Sequence, residues 1–140
     1  MKILRAIPLF AVVWVIYNLA TLAGSGDALQ SPVFGAEGIK LISGAHWTMN
    51  LGELLLVIGL VALFIEIVKS TRTTMSSVLD HSLSTLVFIA FLVEFITVPG
   101  AGNSIFFVLA LMSLMDVMTG FTVTILAARR DLSVAENVNL

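Results

Sequence analysis

Asp116 stands in the middle of an apolar run, 104–128, and any chemistry in this sequence turns on it first. Glu66 and Glu94 lie near the ends of two further apolar runs, and Asn18 interrupts a fourth. A polar side chain in hydrocarbon carries a proton or ion, bonds a neighbouring helix, or snorkels to the interface. At the centre of a spanning helix an aspartate costs about 2.5–3.5 kcal/mol, and each Leu, Ile, Phe or Val returns roughly 0.3–0.6 kcal/mol. The surrounding run therefore tolerates one acid but does not make it free of consequence.

Helical spacing sets the neighbours of Asp116. Ser113, Thr119, Gly120, Thr124 and Ala127 fall on its face, with Met112 and Val123 between them, and Leu111, Leu114, Val117 and Phe121 fall largely outside that arc. Small and hydroxylated residues line membrane helices where they pack closely, so the pattern turns Asp116 toward protein. Asn18 is the expected partner if the acid is a helix-to-helix clamp. The competing role is a protonatable site.

The remaining polar residues read more simply. Glu66 and Lys69 are three apart, which predicts a local pair with both heads snorkelling outward. Gly52, Gly59 and Ala62 give the second run a face that a neighbour can approach closely. Glu94, one turn before Val98, is expected to reach headgroups, and Phe88, Phe91 and Phe95 to serve packing or lipid contact. His46 and Glu53 are weak metal candidates: they share a face only if the second helix starts early, and Glu94 would have to join them to approach a ligand set. No metal and no cofactor is expected. Asp80 and His81 open the third run, where an acid suits a helix N-terminus. His46 and His81 fall on opposite sides of the bilayer, about 30 Å apart, which excludes an intrachain bis-histidine haem.

These residues must be held by spanning helices. Of 140 residues, 59% are hydrophobic and 11% charged, less than half the charge that covers a soluble surface. Four runs are long enough to cross a bilayer: 6–24, 49–68, 78–98 and 104–128. None shows strand alternation, so helices satisfy the backbone. The expected fold is all-α, one domain over residues 1–140, with four transmembrane helices in an antiparallel bundle. Lys2, Arg5, Lys69, Arg72, Arg129 and Arg130 lie on one side and only Lys40 on the other, which predicts both termini in the cytoplasm. The first run also has signal-peptide features, but its length and its Trp14, Tyr17 and Asn18 favour a retained span.

The connections differ. "VPGAGN" (98–103) is a tight turn that makes the last two runs a hairpin. In the outer loop, 25–48, Ser31 and Pro32 suit a helix start, predicting a weak interfacial helix. The tail "DLSVAENVNL" is expected to fray.

Composition also excludes functions. The absence of cysteine removes disulfides, thiolate metal sites and thiol catalysis. No basic patch suggests nucleic acid, and no nucleophile–base pair or phosphate loop suggests an enzyme. Size and span count resemble the small multidrug-resistance transporters in architecture. Those carry a glutamate within the first span, where this chain has Asn18, and their weak charge bias contrasts with the six-to-one bias here. The leading expectation is a non-enzymatic multi-pass protein of a bacterial inner membrane, surrounded by lipid. It would be an accessory subunit of a larger membrane complex or a homo-oligomer, joined through the small-residue faces. The alternative is a small proton-coupled transporter or channel using Asp116.

Overall fold

Two asparagines decide where two of the helices begin. Asn50 forms a reciprocal capping box: its Oδ1 accepts from Glu53 N at 2.8 Å and Glu53 Oε2 accepts from Asn50 N at 2.9 Å. From there α2 runs Leu51–Ser70. Asn103 Oδ1 accepts from Phe106 N at 3.0 Å and opens α4, Ser104–Val138. In the computed structural model, which describes residues 7–23, 27–71 and 76–138, the other two helices are α1 (Leu9–Ala23) and α3 (Ser76–Thr97). Lys2, Arg5 and Arg72, three of the residues in the charge asymmetry, lie outside the described residues.

The fold is all-α, and three helices are long and apolar enough to cross a membrane: Leu51–Ser70, Leu79–Thr97 and Ser104–Arg130. The first run departs from expectation. α1 has 15 residues, about 22 Å of helix at 1.5 Å per residue, short of the hydrocarbon thickness. The last run departs the other way. The helix continues through the tail to Val138, because no proline or glycine interrupts it after Gly120.

Among its described residues the outer loop holds no interfacial α-helix. Ser31 ends a 3₁₀ turn, Ala28–Gln30, and Pro32 bridges to Asn50. Beyond it lies a small antiparallel hairpin of β1 (Ile39–Lys40) and β2 (His46–Trp47), with Ile39 opposite Trp47 and Lys40 opposite His46. Glycine explains the difference. Gly44 closes the turn with φ +85°, donating to Leu41 O at 2.9 Å. Gly38, at φ +66°, lies so close to Trp47 O that a side chain would clash. Phe34 packs on Trp47 with ring centroids 5.3 Å apart.

Helix neighbours do not follow chain order. α1 packs on α2, and α3 on α4, as antiparallel pairs; α4 also packs on α2, and α1 on α3. The α2–α4 pair runs parallel: Gly52 meets Ile105, and further along Gly59 meets Leu109 and Met112. The antiparallel bundle inferred from the sequence thus holds for the hairpin pairs only. Gly52 and Gly59 face α4 inside the bundle, so these small residues serve internal packing.

The core is densest toward the 98–103 turn. Tyr17, Phe91, Phe106 and Leu109 are fully buried. The Tyr17 and Phe106 rings lie 4.6 Å apart and those of Phe91 and Phe106 5.2 Å apart. The α1–α3 seam is looser and leaves an apolar groove of about 510 Å³ lined by Pro8, Ala11, Trp14, Leu86, Val87 and Ala90, among others.

Candidate functional site

The hairpin register brings a serine to the aspartate. Asp116 follows Gly100 by sixteen residues and Ser84 precedes it by sixteen, so the two face each other across α3 and α4. The Ser84 hydroxyl hydrogen-bonds the Asp116 carboxyl. Both residues are buried, each 5% exposed. One turn along the hairpin, the His81 ring lies against Gly120, where a Cβ would come 2.6 Å from its Cε1. Gly120 is thus the notch that lets an imidazole cross α4 next to Asp116.

The site is only partly satisfied. Asp116 Oδ2 and Ser113 Oγ are buried without a hydrogen-bond partner, and so are His81 Nε2 and Asp80 Oδ1. Ser113 is 1% exposed and one helical turn from Asp116 on the same face. Native interiors rarely leave such atoms unpaired, and each instance calls for an explanation in strain, in a proton-handling role or in a bound water or ion. Thr119 and Thr124, placed by spacing on this face, turn back onto their own helix, bonding Met115 O at 2.8 Å and Gly120 O at 2.9 Å. Val117, expected outside the arc, is buried.

A charged pair from α2 lies within electrostatic reach of the carboxyl. Glu66 and Lys69 form an ion pair at 3.0 Å, as the spacing predicts. Glu66 does not snorkel: it is 4% exposed, and its Oε1 accepts from the backbone N of Leu9 at 2.7 Å. That N–H is one of the donors a helix start leaves unpaired, so the carboxylate caps α1 from a different helix. Among the described residues, Glu66, Lys69 and His81 are charged or titratable groups that act on Asp116.

Asn18 belongs elsewhere. Its Nδ2 donates to Glu94 Oε2 at 3.2 Å and to Trp14 O at 3.1 Å. The expected Asn18–Asp116 partnership is therefore replaced by an Asn18–Glu94 bond, and Glu94 is bonded and half-buried instead of reaching freely for headgroups. A neighbouring network was missed by sequence reasoning. Tyr17 donates its hydroxyl proton to Gly100 O at 3.2 Å and accepts from Asn103 Nδ2 at 2.6 Å. Buried tyrosine hydroxyls need partners, which was the available signal.

The weak metal candidates dissolve into local structure. His46 Nδ1 lies 2.9 Å from Glu37 O, and Glu53 is occupied by the capping box. Among the described residues no group of three His, Cys, Asp or Glu side chains is placed to hold a metal ion.

Asp116 thus sits in a buried hydroxyl pocket with one free carboxyl oxygen, beside an imidazole and an ion pair. Such a set can exchange a proton or hold a small cation. No family model matches the chain, no curated protein matches it in sequence, and no solved structure matches it in fold.

Proposed function

We propose that this chain is a small, non-enzymatic, multi-pass membrane protein that moves a proton through Asp116, as a proton-coupled transporter or channel. One observation carries the reading: the buried Asp116 carboxyl is bonded on one side by Ser84 and keeps Oδ2 unpartnered beside the unpartnered Ser113 hydroxyl. A clamp that only joined helices would use both oxygens, since each unsatisfied buried polar group costs about 1–3 kcal/mol. The self-association reading loses support, because Gly52 and Gly59 lie against α4 and Gly120 lies against His81 of α3.

A second reading keeps one specific observation. The apolar window of α3 is 17% buried, against 33% in α2 and 39% in α4, so α3 offers the most surface to lipid or to a larger complex. An accessory subunit would use that face, and its signature is crosslinking from α3 in native membranes. The transport reading is tested in proteoliposomes carrying a pH gradient. Wild type is expected to dissipate the gradient, with flux falling by about two orders of magnitude in Asp116→Asn, the scale on which a positioned proton carrier acts. Equal flux from the two proteins rejects it. A bacterial inner-membrane location with both termini in the cytoplasm goes with this reading, and terminal reporter fusions test it.

A further inference from the structure

We infer that the Asp116 site is open to protons from one end of the bundle only, the end bearing Lys69 and Arg129, by way of Ser84, His81 and Asp80. The inference rests on the proposed proton role of Asp116 and adds its route.

Toward the 98–103 turn the way is closed. Above Asp116 on α4 come Ser113, Ala110, Leu109 and Phe106; Leu109 and Phe106 are fully buried. Phe106 lies ten residues before Asp116, about 15 Å along the helix. Its ring is sandwiched by Tyr17 at 4.6 Å and Phe91 at 5.2 Å, which fills the bundle across three helices. The Phe91 and Phe106 rings offer a proton no polar group to follow, and the Tyr17 hydroxyl is engaged at the turn by Gly100 O and Asn103 Nδ2. Glu94, bonded to Asn18, lies level with Phe106 by equal counting from Gly100, three residues nearer the turn than Phe91.

Toward the other end the residues are polar at every step. Ser84 bonds Asp116. His81, one turn on, fits into the Gly120 notch, half-buried, with Nε2 unpartnered. Asp80 follows, also half-buried and with a free Oδ1, four residues from the start of α3. On the α2 side the Glu66–Lys69 pair flanks the same passage, and Lys69 is 29% exposed. α1 contributes the Leu9 N–H to Glu66 and no charged side chain. In each transfer the Ser84 hydroxyl gives its proton to the Asp116 carboxylate as its oxygen takes one from the His81 ring, a net move of one proton from ring to acid; the reverse step returns it. His81 is here a relay and Gly120 the residue that positions it.

The natural chain has no cysteine, so a single introduced thiol reports access from either face. Silver ion, small and thiol-specific, is added to one face at a time of oriented proteoliposomes holding Ser84→Cys, His81→Cys or Ala110→Cys. Remaining free thiol is then counted by maleimide mass after denaturation. Ser84→Cys and His81→Cys are expected to react at least about tenfold faster from the Lys69–Arg129 face, access being what sets thiol reactivity here; Ala110→Cys is expected to be silent from both. Faster reaction from the turn face, equal rates, or no reaction at either position 81 or 84 overturns the route. The pattern is independent of flux: a protein that fails to move protons defeats the transport reading while its silver profile still decides the access.

Discussion

Gly120 carries the ring of His81 so closely that a Cβ there would fall 2.6 Å from Cε1 and 3.0 Å from Cγ. An imidazole cannot bend away from such a contact as an aliphatic tip can. Gly120→Ala is therefore expected to destabilise by about 1–3 kcal/mol, the scale of an overpacked core. Gly59→Ala serves as the control, because its neighbours are the flexible ends of Leu109 and Met112 at 2.7 and 3.2 Å, and its cost should stay near or below about 1 kcal/mol. His81→Ala should rescue Gly120→Ala, with a coupling of about 0.5–3 kcal/mol in a double-mutant cycle. Unfolding in mixed micelles gives these numbers, and strict additivity would show that the ring does not occupy the notch.

Glu66 fastens α1 to α2 through a backbone donor, so its shape matters as well as its charge. Glu66→Gln keeps an acceptor for Leu9 N, whereas Glu66→Leu removes it and also strands Lys69. The leucine variant should be the less stable by about 1–3 kcal/mol, the cost of an orphaned buried donor. Trp14 in α1 reports the consequence, with Trp47→Phe removing the other tryptophan. The expected result is an emission shift for Leu and almost none for Gln. Identical spectra would mean that α1 is held by packing alone.

Much of the helical architecture was legible because it rests on one-dimensional quantities: run length, hydropathy, and the proline and glycines of 98–103. The Glu66–Lys69 pair was legible for the same reason, being local. What the sequence hid depends on which helices are neighbours. Burial of Glu66 requires α1's N-terminus beside it, and Asn18 cannot choose between Glu94 and Asp116 until α1 is set against α3. Ser84 was accessible in principle, since equal counting from Gly100 finds it opposite Asp116. The outer loop was misread because Ser31–Pro32 looks like a helix start while the decisive signal was three later glycines at positive φ.

The Asn18–Glu94 bond gives that reassignment a quantitative form. Side-chain hydrogen bonds between membrane helices couple by about 0.6 kcal/mol on average and up to about 1.7. Asn18→Ala and Glu94→Ala should show a coupling in that range. Asn18→Ala and Asp116→Asn share no partner and should add within about 0.5 kcal/mol. Chemical unfolding of the two cycles side by side decides it; coupling of Asn18 to Asp116 in place of Glu94 would reinstate the discarded partnership.

Asn103 does two jobs with the two ends of one amide, and substitutions separate them. Its Oδ1 caps α4 at Phe106 N, while Nδ2 holds the Tyr17 hydroxyl at 2.6 Å and Gly100 O at 3.0 Å. Asn103→Ala loses both functions and should cost at least the ordinary cap value, about 0.5–2 kcal/mol. Asn103→Asp keeps an acceptor, and its charge suits the positive end of a helix, but it has no donor for Tyr17. The expected order of stability is Asn, then Asp, then Ala. Removing the hydroxyl by Tyr17→Phe should narrow the gap between Asn and Asp, since the Asn donor then has one acceptor fewer to satisfy. Thermal melting of the six combinations measures it. A gap unchanged by Tyr17→Phe would leave the capping function intact and remove the tie between α1 and the 98–103 turn.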